Sequence, residues 1–235
     1  DKLAPILEGV YAEAHAAGTL PGDLGDGLIT LLYKKGERDD PRNYRPITLL
    51  NNDYKILMRI LALRMNEAVV QFVSDCQTGF LPDSFLPENT MLLQLIMEYL
   101  ENDNTSEAYF VFLDMEKAFD RCSWSFLLQA LAAVGFDQRF VDFVKLAYST
   151  ASPPRRRLVV NGHLGPSFSL YSGVAQGCPL SPLLFLVIAE PLSRLIHQPR
   201  RHILPNPRID NVIRIKGIKI GGVRHRLSQF ADDST

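Results

Sequence analysis

Carboxylates at two places in the chain could do metal chemistry together. Asp114 follows an apolar run at 109–113, and Asp232 and Asp233 follow a short stretch at 227–231. A hairpin with the acidic pair at its tip, lying beside the first run, would bring Asp232 against Asp114. Carboxylates held that close stay ionised only with cations between them, and hard oxygen ligands favour Mg²⁺ or Mn²⁺. Two such ions would support phosphoryl transfer, whereas the plain alternative is that the acidic pair starts a surface turn.

A second candidate is the segment 176–182, which reads QGCPLSP and precedes an apolar run. Gly177 would let the backbone approach a flat ligand closely. The prolines would fix the entry into a helix expected over 179–197, whose N-terminal amides favour phosphate. The alternative is an ordinary loop before a helix that has proline in its first turn.

A third candidate is a basic hairpin. The runs at 28–33 and 45–50 predict two short strands joined by a charged loop. Clustered cations on such a tip suit a triphosphate or a nucleic-acid backbone. The cations are Lys34, Lys35, Arg38, Arg42 and Arg45. The same loop also carries acidic residues, so a solvated charged turn is the alternative.

The elements that must position these residues are mixed in type and order. Helical spacing of apolar residues predicts helices over 3–17, from about 52 to 73 with Asn52 or Asp53 as cap, from about 88 to 99, over 124–134 and over 137–149. Strands are expected at 158–160, 168–170 and 209–220, and the apolar run at 109–113 predicts a buried strand at the centre of a sheet. This mixture, without the regular alternation of a doubly wound sheet, indicates an α+β fold.

The composition fits a globular protein with a sizeable core. The chain has 235 residues, 46% of them hydrophobic and 22% charged, and its net charge is −1. These values exclude a disordered chain and a uniformly basic nucleic-acid coat. Cys76, Cys122 and Cys178 form no C-x-x-C pair, so we expect reduced thiols in an intracellular protein of the cytoplasm and nucleus. We expect no membrane span and no signal peptide, and the missing initiator Met leads us to expect a piece of a longer chain.

Taken together, five segments resemble the reverse transcriptases of LINE-type (non-LTR) retrotransposons. They are RNYRPITLL at 42–50, QTGF at 77–80, FLDMEKAFD at 112–120, QGCPLSPLLF at 176–185 and FADD at 230–233. Each alone is a moderate signal, but five in the family's order and spacing are specific. The resemblance implies a right-hand polymerase fold of fingers and palm, with the palm an antiparallel sheet backed by helices and the thumb absent. It also implies RNA-directed DNA polymerase activity.

The resemblance implies a role for each matched residue. Asp114 and Asp232 would bind two Mg²⁺ (or Mn²⁺) ions, with Asp233 as the adjacent supporting carboxylate, and these three would be the catalytic set. Phe119 would lie beneath the incoming sugar and collide with a 2′-hydroxyl, which selects deoxynucleotides, although it can also be a core aromatic. The implied dNTP-binding residues are Arg45, Lys34, Phe119, Gln176 and Gly177.

Positive charge gathers near the C-terminal end, although the chain as a whole is close to neutral. Between 194 and 226 many Lys and Arg residues are accompanied by a single acid, Asp210. In a polymerase this charge would neutralise template and primer phosphates, whereas a solubilising face is the alternative. The expected nucleic-acid contacts are Arg155, Arg156, Arg157, Lys216 and Lys219. The expected partners are an RNA template, a DNA primer and dNTPs, with no membrane.

We expect an N-terminal helical extension at 1–27, fingers at 28–107, and a palm at 108–235 interleaved with the fingers. Ala175 stands where many LINE-type enzymes carry Arg, but a small residue is found there in other reverse transcriptases. The family's later palm motifs and thumb would follow Thr235, so we expect this fragment to be inactive alone.

Two other functions stay open. One is a catalytically dead nucleic-acid-binding relic of such an element, against which the intact set of Asp114, Asp232 and Asp233 argues. The other is a template-independent nucleotidyltransferase or an RNA-templated RNA polymerase on a similar palm, and Phe119 disfavours ribonucleotide use.

Overall fold

The computed structural model describes residues 2–81, 84–85, 87–103, 108–197 and 215–231, and the backbone of 233–234. These residues form helices and strands in an α+β arrangement, as the sequence predicts. The helices are α1 (Leu3–Ala17), α2 (Asn52–Phe72), α3 (Pro87–Asn102), α4 (Trp124–Val134), α5 (Gln138–Ala147) and α6 (Ser181–His197). The strands are β1 (Gly27–Tyr33), β2 (Tyr44–Leu50), β3 (Arg155–Val160), β4 (His163–Ser169), β5 (Ile218–Ile220), β6 (Val223–His225), β7 (Gln229–Phe230) and β8 (Asp233–Ser234).

The chain divides into two compact units, the first comprising 1–67 and 117–185 and the second 68–116 and 186–235. The division into an N-terminal extension, fingers and palm stays a prediction.

The first unit contains a four-stranded mixed sheet in the order β2-β1-β3-β4. The predicted basic hairpin is confirmed, because β1 and β2 pair antiparallel with Leu28 opposite Leu49 and Leu32 opposite Arg45. β3 runs parallel to β1 and antiparallel to β4. The core of this unit is apolar and includes the buried side chains Tyr54, Leu57, Met58, Leu61, Leu127, Leu131, Val144, Leu180, Leu184 and Phe185.

Local chemistry explains where the helices of the first unit begin and end. Ser123 and Asp137 cap α4 and α5, each accepting a hydrogen bond from the backbone N–H three residues ahead. Gly135 ends α4 in the left-handed region at φ +107°. Within this unit, α1 contacts α2 and α5. The Tyr11 hydroxyl donates to the Asp53 carbonyl at 2.7 Å, and the ring centroids of His15 and Phe143 lie 4.6 Å apart.

The second unit is built from α3 and two small hairpins, β5–β6 and β7–β8. The segment that follows α2 runs beside β7, where Gln77 and Gln229 form a parallel bridge. The Thr78 N–H donates to the Gln229 carbonyl at 2.9 Å, and the Gln229 N–H donates to the Cys76 carbonyl at 2.8 Å. β7 and β8 pair antiparallel with Phe230 opposite Asp233, so a backbone hairpin forms here, and the placement of the acidic pair at its tip stays a prediction.

The prediction of a buried central strand at 109–113 is wrong. This apolar run is irregular apart from a single bridge at Leu113, and Tyr109 and Phe112 are 87% and 68% exposed. A central strand needs hydrogen-bonding neighbours on both sides. Among the described strands of the second unit, β5 pairs with β6 and β7 with β8, so none forms a ladder with this run.

Smaller differences concern element ends. Helix α2 begins at Asn52, so Asn51 and not Asn52 or Asp53 precedes it, and α6 begins at Ser181, two residues after the predicted start. The strand expected over 209–220 is limited to β5 where it can be described, and 209–214 lie outside the described residues. Among the described helices, none combines the length and the apolar character that crossing a bilayer requires.

Candidate active site

The segment 176–177 is held against strand β2 through its backbone. The Thr48 N–H donates to the Gln176 carbonyl at 2.7 Å. Gly177 lies at φ +117°, and a Cβ atom at this position would stand 2.5 Å from the Thr48 carbonyl oxygen. Glycine is therefore required here by a close approach to the protein's own backbone. The predicted role of Gln176 and Gly177 in dNTP binding stays a prediction.

The residues just before this segment, at 173–174, are hydrogen-bonded to the turn at 117–122. The Gly173 N–H donates to the Cys122 carbonyl and the Val174 N–H to the Phe119 carbonyl, both at 2.8 Å. The buried Trp124 indole donates to the Gly173 carbonyl at 2.7 Å. Residues of three of the five motif segments, at 42–50, 112–120 and 176–185, thus meet within the first unit.

Phe119 is half-buried and stacks on Phe185, with ring centroids 5.0 Å apart and planes 12° from parallel. Phe185 is a core residue of α6. The structure thus gives Phe119 a packing partner that holds its ring in place. Its role beneath an incoming sugar stays a prediction.

Asp120 is a residue of this site to which sequence reasoning gave no role. Partial burial raises the pKa of its carboxyl, and the positive charge of Lys117 and a hydrogen bond with the Gln176 side chain oppose that rise. The contact joins the turn after Phe119 to the Gln-Gly segment through side chains as well as backbone. The available signal was the second aspartate of FLDMEKAFD, to which the resemblance assigns no function.

Arg45 and Lys34 lie on the basic hairpin. Arg45 is exposed and sits three residues from the buried Thr48 on β2, so the two side chains project from opposite faces of the strand. Lys34 is exposed just after β1, where its N–H donates to the Asn43 carbonyl at 2.8 Å. The hairpin therefore presents both cations to solvent, and their contact with a triphosphate stays a prediction.

The acidic residues belong to the second unit. Asp114 is exposed on the irregular segment, and Asp233 begins β8 with its backbone opposite Phe230. Asp232 lies outside the described residues. Within the described ranges, no three His, Cys, Asp or Glu side chains form a potential metal site. The meeting of Asp114 with Asp232 therefore stays a prediction.

The predicted nucleic-acid contacts differ in how they are placed. Arg156 is only 3% exposed, and its Nη1 donates to the Gly25 carbonyl at 2.8 Å, while burial lowers the pKa of the guanidinium. Arg155 is exposed and forms an ion pair with Asp26 at 2.8 Å. Arg157 is exposed and donates to the Gly165 carbonyl at 2.9 Å.

The other two predicted contacts, Lys216 and Lys219, are exposed residues of the second unit. Lys219 lies directly opposite Arg224 across β5 and β6. Paired positions of an antiparallel ladder project from one face, so this hairpin carries like charges side by side.

Comparison with known proteins agrees with the motif segments. The family model described as "Reverse transcriptase (RNA-dependent DNA polymerase)" matches residues 32–235. The transposon TX1 uncharacterized 149 kDa protein of Xenopus laevis is 30% identical over 233 residues, which is 99% of this chain and 16% of that protein. The Pol polyprotein of the type-2 retrotransposable element R2DM of Drosophila melanogaster is 28% identical over 216 residues, which is 92% of this chain and 18% of that protein.

The chain thus spans less than a fifth of the length of these two relatives. Among solved structures, a truncated apo telomerase of Candida tropicalis matches 99% of this chain and 48% of its own length, with a TM-score of 0.52 and 14% identity. That likeness concerns the fold alone. The chain belongs to the reverse transcriptase family, as a reverse transcriptase domain of the LINE-type (non-LTR) retrotransposons.

Proposed function

We propose that this chain supplies the fingers and palm of an RNA-directed DNA polymerase that joins deoxynucleotides to a primer 3′-hydroxyl on an RNA template. The observation that carries the proposal is the docking of segment 173–177 between β2 and the turn at 117–122. That docking gathers residues of three family motifs in one compact unit. It fixes Phe119 and the Gln-Gly pair relative to one another, as selection of an incoming nucleotide requires.

The carboxylates would hold the metal ions. Asp114, Asp232 and Asp233 offer hard oxygen ligands of the kind that Mg²⁺ and Mn²⁺ prefer, and the exposed Asp114 is accessible to an ion. When bound, two ions would activate the primer hydroxyl and neutralise charge on the leaving pyrophosphate. The acidic residues would also set the position of these ions.

The first unit would select and orient the nucleotide. Phe119, fixed by its stacking on Phe185, would lie beneath the sugar and exclude a 2′-hydroxyl. Gln176 and Gly177 would lie against the templating base pair. Arg45, with Lys34, would bind the triphosphate, and the planar guanidinium of Arg45 suits bidentate contact with phosphate oxygens.

Template and primer would bind to exposed cations. Arg155, Arg157, Lys216 and Lys219 are exposed, whereas the inward position of Arg156 makes it a support for β3. Such contacts release counterions, so affinity should fall steeply with salt. We also propose an intracellular site of action, in the cytoplasm and nucleus, consistent with three free cysteines.

Primer extension tests the proposal. The chain would be assayed alone and fused after Thr235 to the residues that follow the matched segment in the Xenopus laevis relative, with an RNA template, a DNA primer and Mg²⁺. We expect the fusion to extend the primer, and Asp114→Asn and Asp232→Asn to abolish extension. Extension that survives both substitutions would show the metal assignment to be wrong.

The substitution Phe119→Ala tests nucleotide choice in the same assay. Removal of the ring should raise incorporation of ribonucleotides relative to deoxynucleotides. An unchanged ratio would remove the sugar-selecting role from Phe119. Salt-dependent RNA binding without any metal-dependent synthesis would instead favour a nucleic-acid-binding relic.

A further inference from the structure

One side-chain amide binds both polar groups of the residue that precedes Asp232. Gln77 is 3% exposed, and its Oε1 accepts hydrogen bonds from the Ala231 N–H at 2.9 Å and the Gly79 N–H at 2.8 Å. Its Nε2 donates to the Ala231 carbonyl at 3.2 Å. The two N–H donors around Oε1 fix the orientation of the amide, since the reversed orientation would set donor against donor.

The backbone that Gln77 holds has an unusual conformation. Ala231 is 4% exposed and lies at φ +55°, in the left-handed region that alanine rarely adopts. A Cβ atom on Gly79 would collide with the Ala231 nitrogen, so the absence of a side chain at 79 admits this turn. Conformations of this kind persist only where surrounding contacts determine them, and here Gln77 supplies those contacts.

We propose that Gln77 is a positioning residue of the polymerase, which holds the peptide of Ala231, the residue directly before Asp232 in the sequence. The inference rests on the proposed function, in which Asp232 binds metal. Binding both polar groups of Ala231 requires a donor and an acceptor on one side chain, because Ala231 presents both an N–H and a carbonyl. Glutamate lacks the donor and methionine lacks both, although each is close to glutamine in size.

The experiment compares Gln77→Glu and Gln77→Met with Asn89→Asp. Asn89 is a matched control because its Nδ2 donates to the Gln229 carbonyl at 2.9 Å, on the same hairpin but without a bond to Ala231. Amide hydrogen exchange at Ala231, followed by NMR, reports whether the hydrogen bonds between Gln77 and Ala231 are intact, and it does not require activity. Primer extension by the fusion protein gives kcat and KM.

We expect both Gln77 variants to speed exchange of the Ala231 amide and to lower kcat by about 10²-fold, the loss typical of a reactive group displaced by about 1 Å. KM for dNTP and for primer–template should stay within about threefold, because the groups that bind them are unchanged. Asn89→Asp should keep kcat.

Three results would overturn the inference: an Ala231 amide that stays protected in both Gln77 variants, a kcat that is unchanged when that amide opens, or an equal loss of kcat in Asn89→Asp. If the unsubstituted fusion extends no primer, the proposed function fails, and the exchange rates still decide whether Gln77 holds the turn.

Discussion

Replacing Gly177 with alanine should destabilise the protein through one identifiable contact. The residue lies at φ +117°, a conformation that costs alanine about 1–2 kcal/mol. The new Cβ would also stand 2.5 Å from the Thr48 carbonyl oxygen, well inside normal contact, so the strand and the segment must separate. Separation breaks the hydrogen bond from Thr48 to Gln176, which is worth about 0.5–1.5 kcal/mol. We expect Gly177→Ala to cost about 1.5–3.5 kcal/mol in the free energy of unfolding.

Gly135→Ala provides the matched control. Gly135 has a similar φ of +107°, but nothing lies within 4 Å of a Cβ atom built there. This variant should lose only the free energy that a positive φ costs alanine, about 1–2 kcal/mol. Urea unfolding followed by circular dichroism measures both losses, and hydrogen exchange at the Thr48 amide reports the broken bond directly.

The reasoning is refuted if Gly177→Ala and Gly135→Ala lower the free energy of unfolding equally while the Thr48 amide keeps its protection. That result would mean that the Gln-Gly segment is not held on β2 by the close backbone approach. The proposed nucleotide site would then lose its fixed geometry.

Three further predictions concern the surroundings of this segment. Trp124→Phe should cost about 1–3 kcal/mol in urea unfolding, because the buried Gly173 carbonyl loses its donor; an unchanged midpoint would contradict this. Burial raises the pKa of Asp120 above 3.8, so its contribution to stability is greatest below pH 3.8 and is lost as pH rises through the folded pKa. Asp120→Asn should flatten that part of the pH profile of stability, and a profile equal to wild type would reject the assignment. Burial raises the pKa of Cys122 to about 12, so about one thiol in ten thousand is ionised at pH 8; iodoacetamide should modify it only after denaturation, which mass spectrometry would detect.

Local signals predicted the helices and hairpins well. The α4 helix has its cap at Ser123 and its left-handed glycine at 135, both readable from residue type and spacing. The β3–β4 hairpin turns at Asn161 and Gly162, both of which have positive φ. These features depend on neighbours in sequence, which a pattern records.

Features that depend on distant residues could not be predicted in the same way. The run at 109–113 is as apolar as a central strand, but burial needs partners that its own residues do not specify. The inward position of Arg156 is a comparable case, because the Gly25 carbonyl that receives its hydrogen bond lies far away in the chain. In an arginine triplet, the alternation of a strand separates the middle residue from its two neighbours, but it does not say which of the two faces is buried.

The candidate site shows the same division. The resemblance gives Gln176, Gly177 and Phe119 roles that stay predictions, whereas the contact of the Gln-Gly pair with Thr48 follows from the fold alone. Gln77 belongs to the QTGF motif, but the resemblance assigns it no role. Its two hydrogen bonds to Ala231 join residues 154 positions apart in the sequence, which a local pattern does not record. A motif locates important residues, and contact geometry is needed to say what each one does.

The two glutamine–glycine motifs use one physical solution in separate units. In each, glycine admits a neighbouring backbone that any Cβ would exclude, at Thr48 for Gly177 and at Ala231 for Gly79. The accompanying glutamine then binds that region, through the Gln176 carbonyl in one case and the Gln77 side chain in the other. Such contacts bring backbone segments together without bulky or charged side chains between them. The glycines of these two motifs therefore account for how backbone segments pack within each unit.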